Sequence, residues 1–148
     1  MSLQVGDSAP DFSASDHEGQ TRSLGDFSGQ RLVLWFYPKA DTPGCSREGC
    51  GFRDLYAEFQ AKGAAILGVS YDSPADNKAF VEKYGFPYPL LSDGEQAIAK
   101  AYGAYDAGQP NYPQRNTYVI DGEGKLEQVL LAVNPKTHPR ALLDSLGS

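Results

Sequence analysis

Two cysteines, Cys45 and Cys50, are the only thiols in the 148 residues of this chain, and they lie five positions apart. They close the stretch Pro38-Lys39-Ala40-Asp41-Thr42-Pro43-Gly44-Cys45-Ser46-Arg47-Glu48-Gly49-Cys50, which follows the apolar run Leu32-Val33-Leu34-Trp35-Phe36-Tyr37. Cys45 comes just after a turn, and Cys50 falls within the first turns of the helix expected there. A thiol at a helix N-terminus ionises readily, because backbone N–H groups point at the sulfur and the helix dipole favours negative charge. The expected chemistry is that of a thiol enzyme. A thiolate in a half-buried pocket attacks an O–O bond, becomes a sulfenic acid, and condenses with a second thiol nearby.

Helix geometry separates the two thiols. Cys45 is seven residues before Phe52 and shares a face with the apolar stripe of Phe52, Leu55, Tyr56 and Phe59. Cys50 is turned about 140° away from Cys45, toward solvent. On an intact helix their Cα atoms are roughly 8–9 Å apart, and a disulfide needs them within about 7 Å. A bond between them therefore requires the first turns to unwind, and Gly44 and Gly49 lower the cost of that opening. Thr42, three residues before Cys45, brings a hydroxyl alongside the sulfur as a hydrogen-bond partner for an oxygen-containing substrate; the plainer reading is a turn residue or helix N-cap. Pro38 and Pro43 stiffen the loop, and Pro38 is placed to shield the sulfur from bulk water.

The rest of the chain must hold this loop. Residues 31–37 are apolar on both faces and read as a buried central strand. A small hairpin precedes it, turning at Asp16 to Gly19. An amphipathic helix spans 45–61, and Ala64 to Tyr71 is a second buried strand. Ser73 caps a helix that starts at Pro74 and runs to about Tyr84. Pro89 to Leu91 is a short strand, and Ser92 with Glu95 reads as a capping box for a helix through Tyr102, with Asp93 also among the caps. Residues 103–114 form a loop. Asn116 to Ile120 and Lys125 to Val133 pair as a hairpin through Asp121-Gly122, and a helix over Thr137 to Leu146 closes the chain. This order gives an α/β fold with parallel strands early, an antiparallel pair late, and helices on both faces.

Composition narrows the function further. A chain of this length is most simply one domain, 1–148. A formal net charge of −6, from 13 basic and 19 acidic residues, argues against a nucleic-acid or anionic-membrane partner. The longest uncharged apolar run falls far short of the roughly 20 residues a membrane helix needs. Met1 to Val5 shows neither the basic stretch nor the apolar core of a signal peptide, so the expectation is a cytoplasmic protein.

Pro38-x-x-x-Thr42-x-x-Cys45 resembles the peroxiredoxin active-site signature, and a second cysteine at Cys50 resembles the peroxiredoxin Q, or bacterioferritin-comigratory-protein, subfamily. Val5-Gly6-Asp7-x-Ala9-Pro10-Asp11-Phe12, Leu67-Gly68-Val69-Ser70, Leu91-Ser92-Asp93 and Arg115-x-Thr117-Tyr118-Val119-Ile120-Asp121 match the family's other landmarks, so the similarity covers nearly the whole chain. The resemblance implies a thioredoxin-like fold of AhpC/TSA type, with a central mixed β-sheet flanked by helices and an N-terminal β-hairpin. It implies a thiol-dependent peroxidase in which Cys45 is peroxidatic and Cys50 resolving. Thr42 would bind peroxide, Arg115 would hold the thiolate anionic, Pro38 would close the pocket, and Glu48 would orient Arg115. It implies recycling by thioredoxin or glutaredoxin, a monomer, and no metal, haem or flavin. Tyr105, Tyr112 and the loop between them are expected at the peroxide entrance.

Three rivals use the same residues. A thiol–disulfide oxidoreductase would favour a Cys-x-x-Cys spacing and leave Thr42 and Arg115 idle. A metal module of two Cys and two His would have to gather His17 and His138, which are distant in sequence from the cysteines and from each other. A redox sensor would form the disulfide slowly and without turnover.

Overall fold

The computed structural model describes residues 3–146; Met1 and Ser2, at the head of the segment read above for a signal peptide, lie outside them. The run Arg31–Phe36 forms β3, and every residue after Arg31 in it is buried. Side chains alternate along a strand, so Val33, Trp35 and Tyr37 enter one apolar cluster while Leu32, Leu34 and Phe36 enter another on the opposite face. Both faces being apolar, β3 must sit mid-sheet. It pairs in parallel with β4 (Ala64–Ser70) and antiparallel with β6 (Thr117–Ile120). β5 (Leu90–Ser92) and β7 (Leu126–Leu130) complete the order β5-β4-β3-β6-β7. A separate hairpin joins β1 (Ser13–Ser15) to β2 (Thr21–Ser23). Its turn is held by the buried Asp16, whose Oδ1 accepts the Glu18 and Gln20 N–H groups and whose Oδ2 takes Arg22 Nε at 2.9 Å. The mixed sheet, the flanking helices and the N-terminal hairpin are as the sequence leads one to expect.

Three local expectations are corrected. The helix over 45–61 is two helices, α1 (Pro43–Asp54) and α2 (Tyr56–Ala61). Leu55, with φ −102° and ψ 8°, turns the backbone between them. The break lets α1 lie against α5 (His138–Ser145) while α2 packs on β4. The Ser92–Glu95 capping box does not form: Ser92 ends β5, and its Oγ accepts from Asn77 Nδ2 of α3 (Pro74–Tyr84) at 3.3 Å. Asp93 caps α4 (Ala97–Tyr102) instead, its two oxygens accepting the Ile98 and Ala99 N–H groups at 3.1 and 2.8 Å. Tyr105 packs on the cluster of the second sheet face, with Lys100 Nζ 5.0 Å from its ring centre, whereas Cys45 belongs to the first. Tyr105 is therefore not a wall of the site.

Candidate active site

The loop after β3 is fixed before it reaches Cys45. Tyr37 Oη donates to the buried Asn77 Oδ1 at 2.7 Å. The Ala40 N–H donates to Asp72 Oδ2 at 2.7 Å. Asp41 takes a left-handed backbone, φ 59°, and its carboxylate binds Lys83 Nζ at 3.0 Å and the Tyr84 hydroxyl at 3.1 Å. A non-glycine residue holds such a conformation only when its surroundings impose it, and these contacts do. Thr42 then takes the N-cap position of α1 with an extended backbone, and Pro43 opens the helix. The Thr42 hydroxyl caps nothing; it donates to the Lys39 carbonyl at 2.8 Å, which leaves its lone pairs for another donor. Pro38 is half-buried beside it in the same loop.

Cys45 is fully buried in the first turn of α1. Arg115 arrives from just before β6 and places Nη2 3.5 Å from the Cys45 sulfur and Nη1 2.9 Å from Glu48 Oε1. Gly44 makes that approach possible, because a Cβ there would lie 3.0 Å from Arg115 Nη2. Burial pushes the Glu48 carboxyl up to about 7, against the pull of Arg115. Burial likewise opposes the charge of Arg115, but the sulfur and the carboxylate beside it outweigh this and hold the guanidinium above its usual range. A cation donating an N–H to a sulfur at a helix N-terminus stabilises negative charge on that sulfur.

Cys50 lies on the same unbroken helix, half-buried, and neither thiol is bonded. Burial pushes the Cys50 thiol up, Arg53 pulls it down and Asp54 adds to the rise. An open groove of about 550 Å³ runs past Cys50, lined by Ser46, Arg47, Asp54 and Lys136 among others. The geometry thus brings Cys45, Glu48 and Arg115 together, sets Thr42 at the N-cap of α1 with Pro38 in the loop before it, and leaves Cys50 on the outer side of the helix.

Residues 5–129 match the model of the AhpC/TSA family. The chain belongs to that family. It is 41% identical over 141 residues to the putative peroxiredoxin bcp of Coxiella burnetii, covering 92% of this chain and 91% of that protein. It is 39% identical over 142 residues to the chloroplastic peroxiredoxin Q of Populus jackii, where it spans 96% of this chain and 65% of the plant protein. The crystal structure of peroxidoxin BcpB from Mycobacterium tuberculosis superposes with a TM-score of 0.88 at 34% identity, covering 99% of both chains. The fold is accordingly the thioredoxin-like fold of peroxiredoxins, and the chain is a thiol peroxidase, an oxidoreductase whose family takes a peroxide and a thiol reductant.

Several residues of this peroxiredoxin's site escape sequence reasoning. The loop 132–136 after β7 forms part of the wall: Pro135 Cγ would be 3.6 Å from a Cβ on Gly44, and Lys136 lines the groove at Cys50. No spacing in the sequence signals this, since it depends on how β7 returns to β6. Gly49 and Gly51 are close-packing residues as well as weak helix formers. A Cβ on Gly49 would meet Phe86 Cζ at 2.5 Å, and one on Gly51 would meet Pro139 Cγ at 2.7 Å. Tyr88 Oη donates to the Gly49 carbonyl at 2.8 Å. The histidines are engaged elsewhere: His17 Nδ1 accepts the Leu90 N–H at 3.4 Å, and His138 Nε2 is 2.9 Å from Thr117 Oγ1. Trp35 packs among Tyr37, Phe52 and Tyr88 in the core, tilted against the first two and edge-on to the third, with ring centres 4.8, 5.2 and 6.2 Å away.

Proposed function

We propose that this peroxiredoxin reduces hydrogen peroxide and organic hydroperoxides through Cys45 and closes an intramolecular disulfide with Cys50. The observation that carries the reading is the 3.5 Å approach of Arg115 Nη2 to the sulfur of a cysteine in the first turn of a helix. The Cys45 thiolate attacks one peroxide oxygen, the O–O bond breaks, and the alkoxide or hydroxide leaves with a proton as alcohol or water. Cys45 becomes a sulfenic acid. Arg115 holds the thiolate and polarises the O–O bond, while Glu48 holds Arg115. The Thr42 hydroxyl, its proton spent on Lys39, accepts the peroxide O–H. Pro38 closes the pocket over the reacting atoms.

Resolution follows when the first turns of α1 unwind, since an intact helix keeps the two sulfurs' Cα atoms roughly 8–9 Å apart. The Cys50 sulfur displaces the hydroxyl of the sulfenic acid as water. Thioredoxin or a similar dithiol then reduces the Cys45–Cys50 bond and leaves as its own disulfide. We take the protein to act as a cytoplasmic monomer that needs no metal or organic cofactor. The test is to reduce the protein, remove the reductant, add one equivalent of hydrogen peroxide and count thiols by intact mass within seconds. Loss of both thiols in the parent, no reaction in Cys45→Ser and a trapped sulfenic acid in Cys50→Ser are expected. A parent that keeps both thiols for minutes sinks the reading.

A further inference from the structure

Arg115 precedes β6, which begins at Thr117, so the sheet's ladder does not itself hold the residue whose guanidinium must stand beside the Cys45 sulfur. Its neighbour Asn116 is fully buried and uses every polar group it has. The Asn116 carbonyl accepts the Phe36 N–H of β3 at 2.8 Å, and its own N–H donates to the Gln114 carbonyl at 2.8 Å. In the side chain, Nδ2 donates to the Tyr118 hydroxyl at 3.1 Å and Oδ1 accepts the Ala132 N–H at 3.0 Å. The next N–H of that loop, Val133, donates to the Arg115 carbonyl at 2.9 Å.

Two adjacent residues therefore grip two adjacent N–H groups of the loop after β7. The grip has to overcome strain, because Ala132 has φ 51°, a conformation that side chains other than glycine rarely take. From there the loop reaches Pro135, whose Cγ stands 3.6 Å from the point a Cβ would occupy on Gly44. Arg115 Nη2 reaches that same point at 3.0 Å. Pro135 and the guanidinium thus both stand at Gly44, at the start of α1, and the loop that carries Pro135 is anchored on Arg115's own main chain.

We propose that Asn116 is a positioning residue for Arg115: its side-chain amide clamps residues 132–135, and the clamped loop keeps the guanidinium at the sulfur. The inference rests on the role given to Arg115 above. Without the amide, Ala132 relaxes out of the left-handed region, the Val133 bond to the Arg115 carbonyl loosens, and Pro135 withdraws from Gly44 at the start of α1, freeing the space around the guanidinium. A positioning error of about 1 Å is enough to slow a reaction by up to about a hundredfold.

The test is a double-mutant cycle on the reduced protein, reading the second-order rate constant with hydrogen peroxide by stopped flow. Asn116→Ala should slow the reaction about ten- to a hundredfold while Arg115 is present, and by less than about threefold in an Arg115→Ala background. Pro135→Gly, an alteration confined to the loop, should show the same dependence on Arg115 with a smaller factor, and it carries the test if Asn116→Ala does not fold. Equal slowing with and without Arg115, or no slowing at all, overturns the positioning role. If Arg115→Ala alone reacts as fast as the parent, the role of Arg115 itself fails, and that single variant reports it separately.

Discussion

Glu48 gives Arg115 one carboxylate oxygen and leaves the other alone: Oε1 accepts from Nη1 at 2.9 Å, while Oε2 is buried with no hydrogen-bond partner among the described residues. A buried carboxylate with half its acceptors unmet is costly, so the fold favours the protonated form. Its titration is accordingly displaced upward, from an ordinary value of 4.5 to about 7.

The sign of the stability effect follows. Between pH 4.5 and about 7 the folded protein holds a proton on Glu48 that the unfolded chain has lost, so stability from this group falls as pH rises through that window. Glu48→Gln removes the slope. In urea titrations of the reduced protein, the variant should gain on the parent by up to about 1.4 kcal/mol per pH unit across the window and no further above it. A difference that stays flat with pH would mean Glu48 remains ionised when buried.

His138 works in the opposite direction. Its ring is buried against Phe52, ring centres 5.9 Å apart, and burial lowers its pKa from 6.5 to about 4. Between those values the unfolded chain binds the extra proton, so the stability His138 contributes is full above pH 6.5 and is lost as pH falls toward 4. Over most of this range Glu48 and His138 offset each other. The parent should therefore show a flatter stability–pH curve than either variant, with His138→Gln losing stability as pH rises and Glu48→Gln losing it as pH falls. Chemical denaturation at several pH values between 4.5 and 6.5 checks the pair of slopes.

The glycines of α1 separate activity from stability. At Gly44 the added Cβ of alanine would press on Arg115 Nη2 at 3.0 Å, the far end of a flexible side chain. Gly44→Ala should keep its melting behaviour, since alanine gains about 1 kcal/mol of helix propensity, yet react with peroxide about tenfold more slowly as the guanidinium is pushed aside. At Gly49 the same change meets Phe86 Cζ at 2.5 Å, a packed ring on the cluster under β3. Gly49→Ala should lose stability, because overpacking costs about 1–3 kcal/mol and propensity returns only part of it. Thermal melts and stopped-flow rates on both variants distinguish the cases, and the reverse pattern would contradict the contacts.

What the sequence reveals here follows from how local the cause is. The two-sided apolar run 32–37 forces a central strand, and the position of Cys45 behind Thr42-Pro43-Gly44 forces a thiol at a helix start; both effects act within a few residues and are legible. The split at Leu55 is not, because it answers to α5 and β4, which α1 and α2 meet only in the folded chain. The cap of α4 is misread for a related reason. Ser92 and Glu95 have the right spacing, but pairing with Ser70 draws Ser92 into β5 and leaves the buried first-turn N–H groups of Ile98 and Ala99 to Asp93. The loop 132–136 is a long-range fact that no spacing announces, and the meeting of Glu48 with Arg115, 67 positions apart, is expected only through the family resemblance.

The last prediction concerns α1 itself. Cys45 and Cys50 share a helix that is unbroken from Pro43 to Asp54, and a disulfide cannot span five helical residues without local unwinding. The helix is held near that point by the Tyr88 hydroxyl on the Gly49 carbonyl and by Phe52 against Trp35. Oxidation by one equivalent of peroxide should therefore raise deuterium uptake in peptides covering 43–51, reduce far-ultraviolet helical signal, and change Trp35 emission as Phe52 shifts. Peptides from α3 and β4 should keep their protection. Cys50→Ser treated identically forms no bond and should keep both its helix and its emission. If the oxidised parent stays as protected over 43–51 as the reduced form, the bond between these two sulfurs is not what consumes the sulfenic acid, and an external thiol must resolve it.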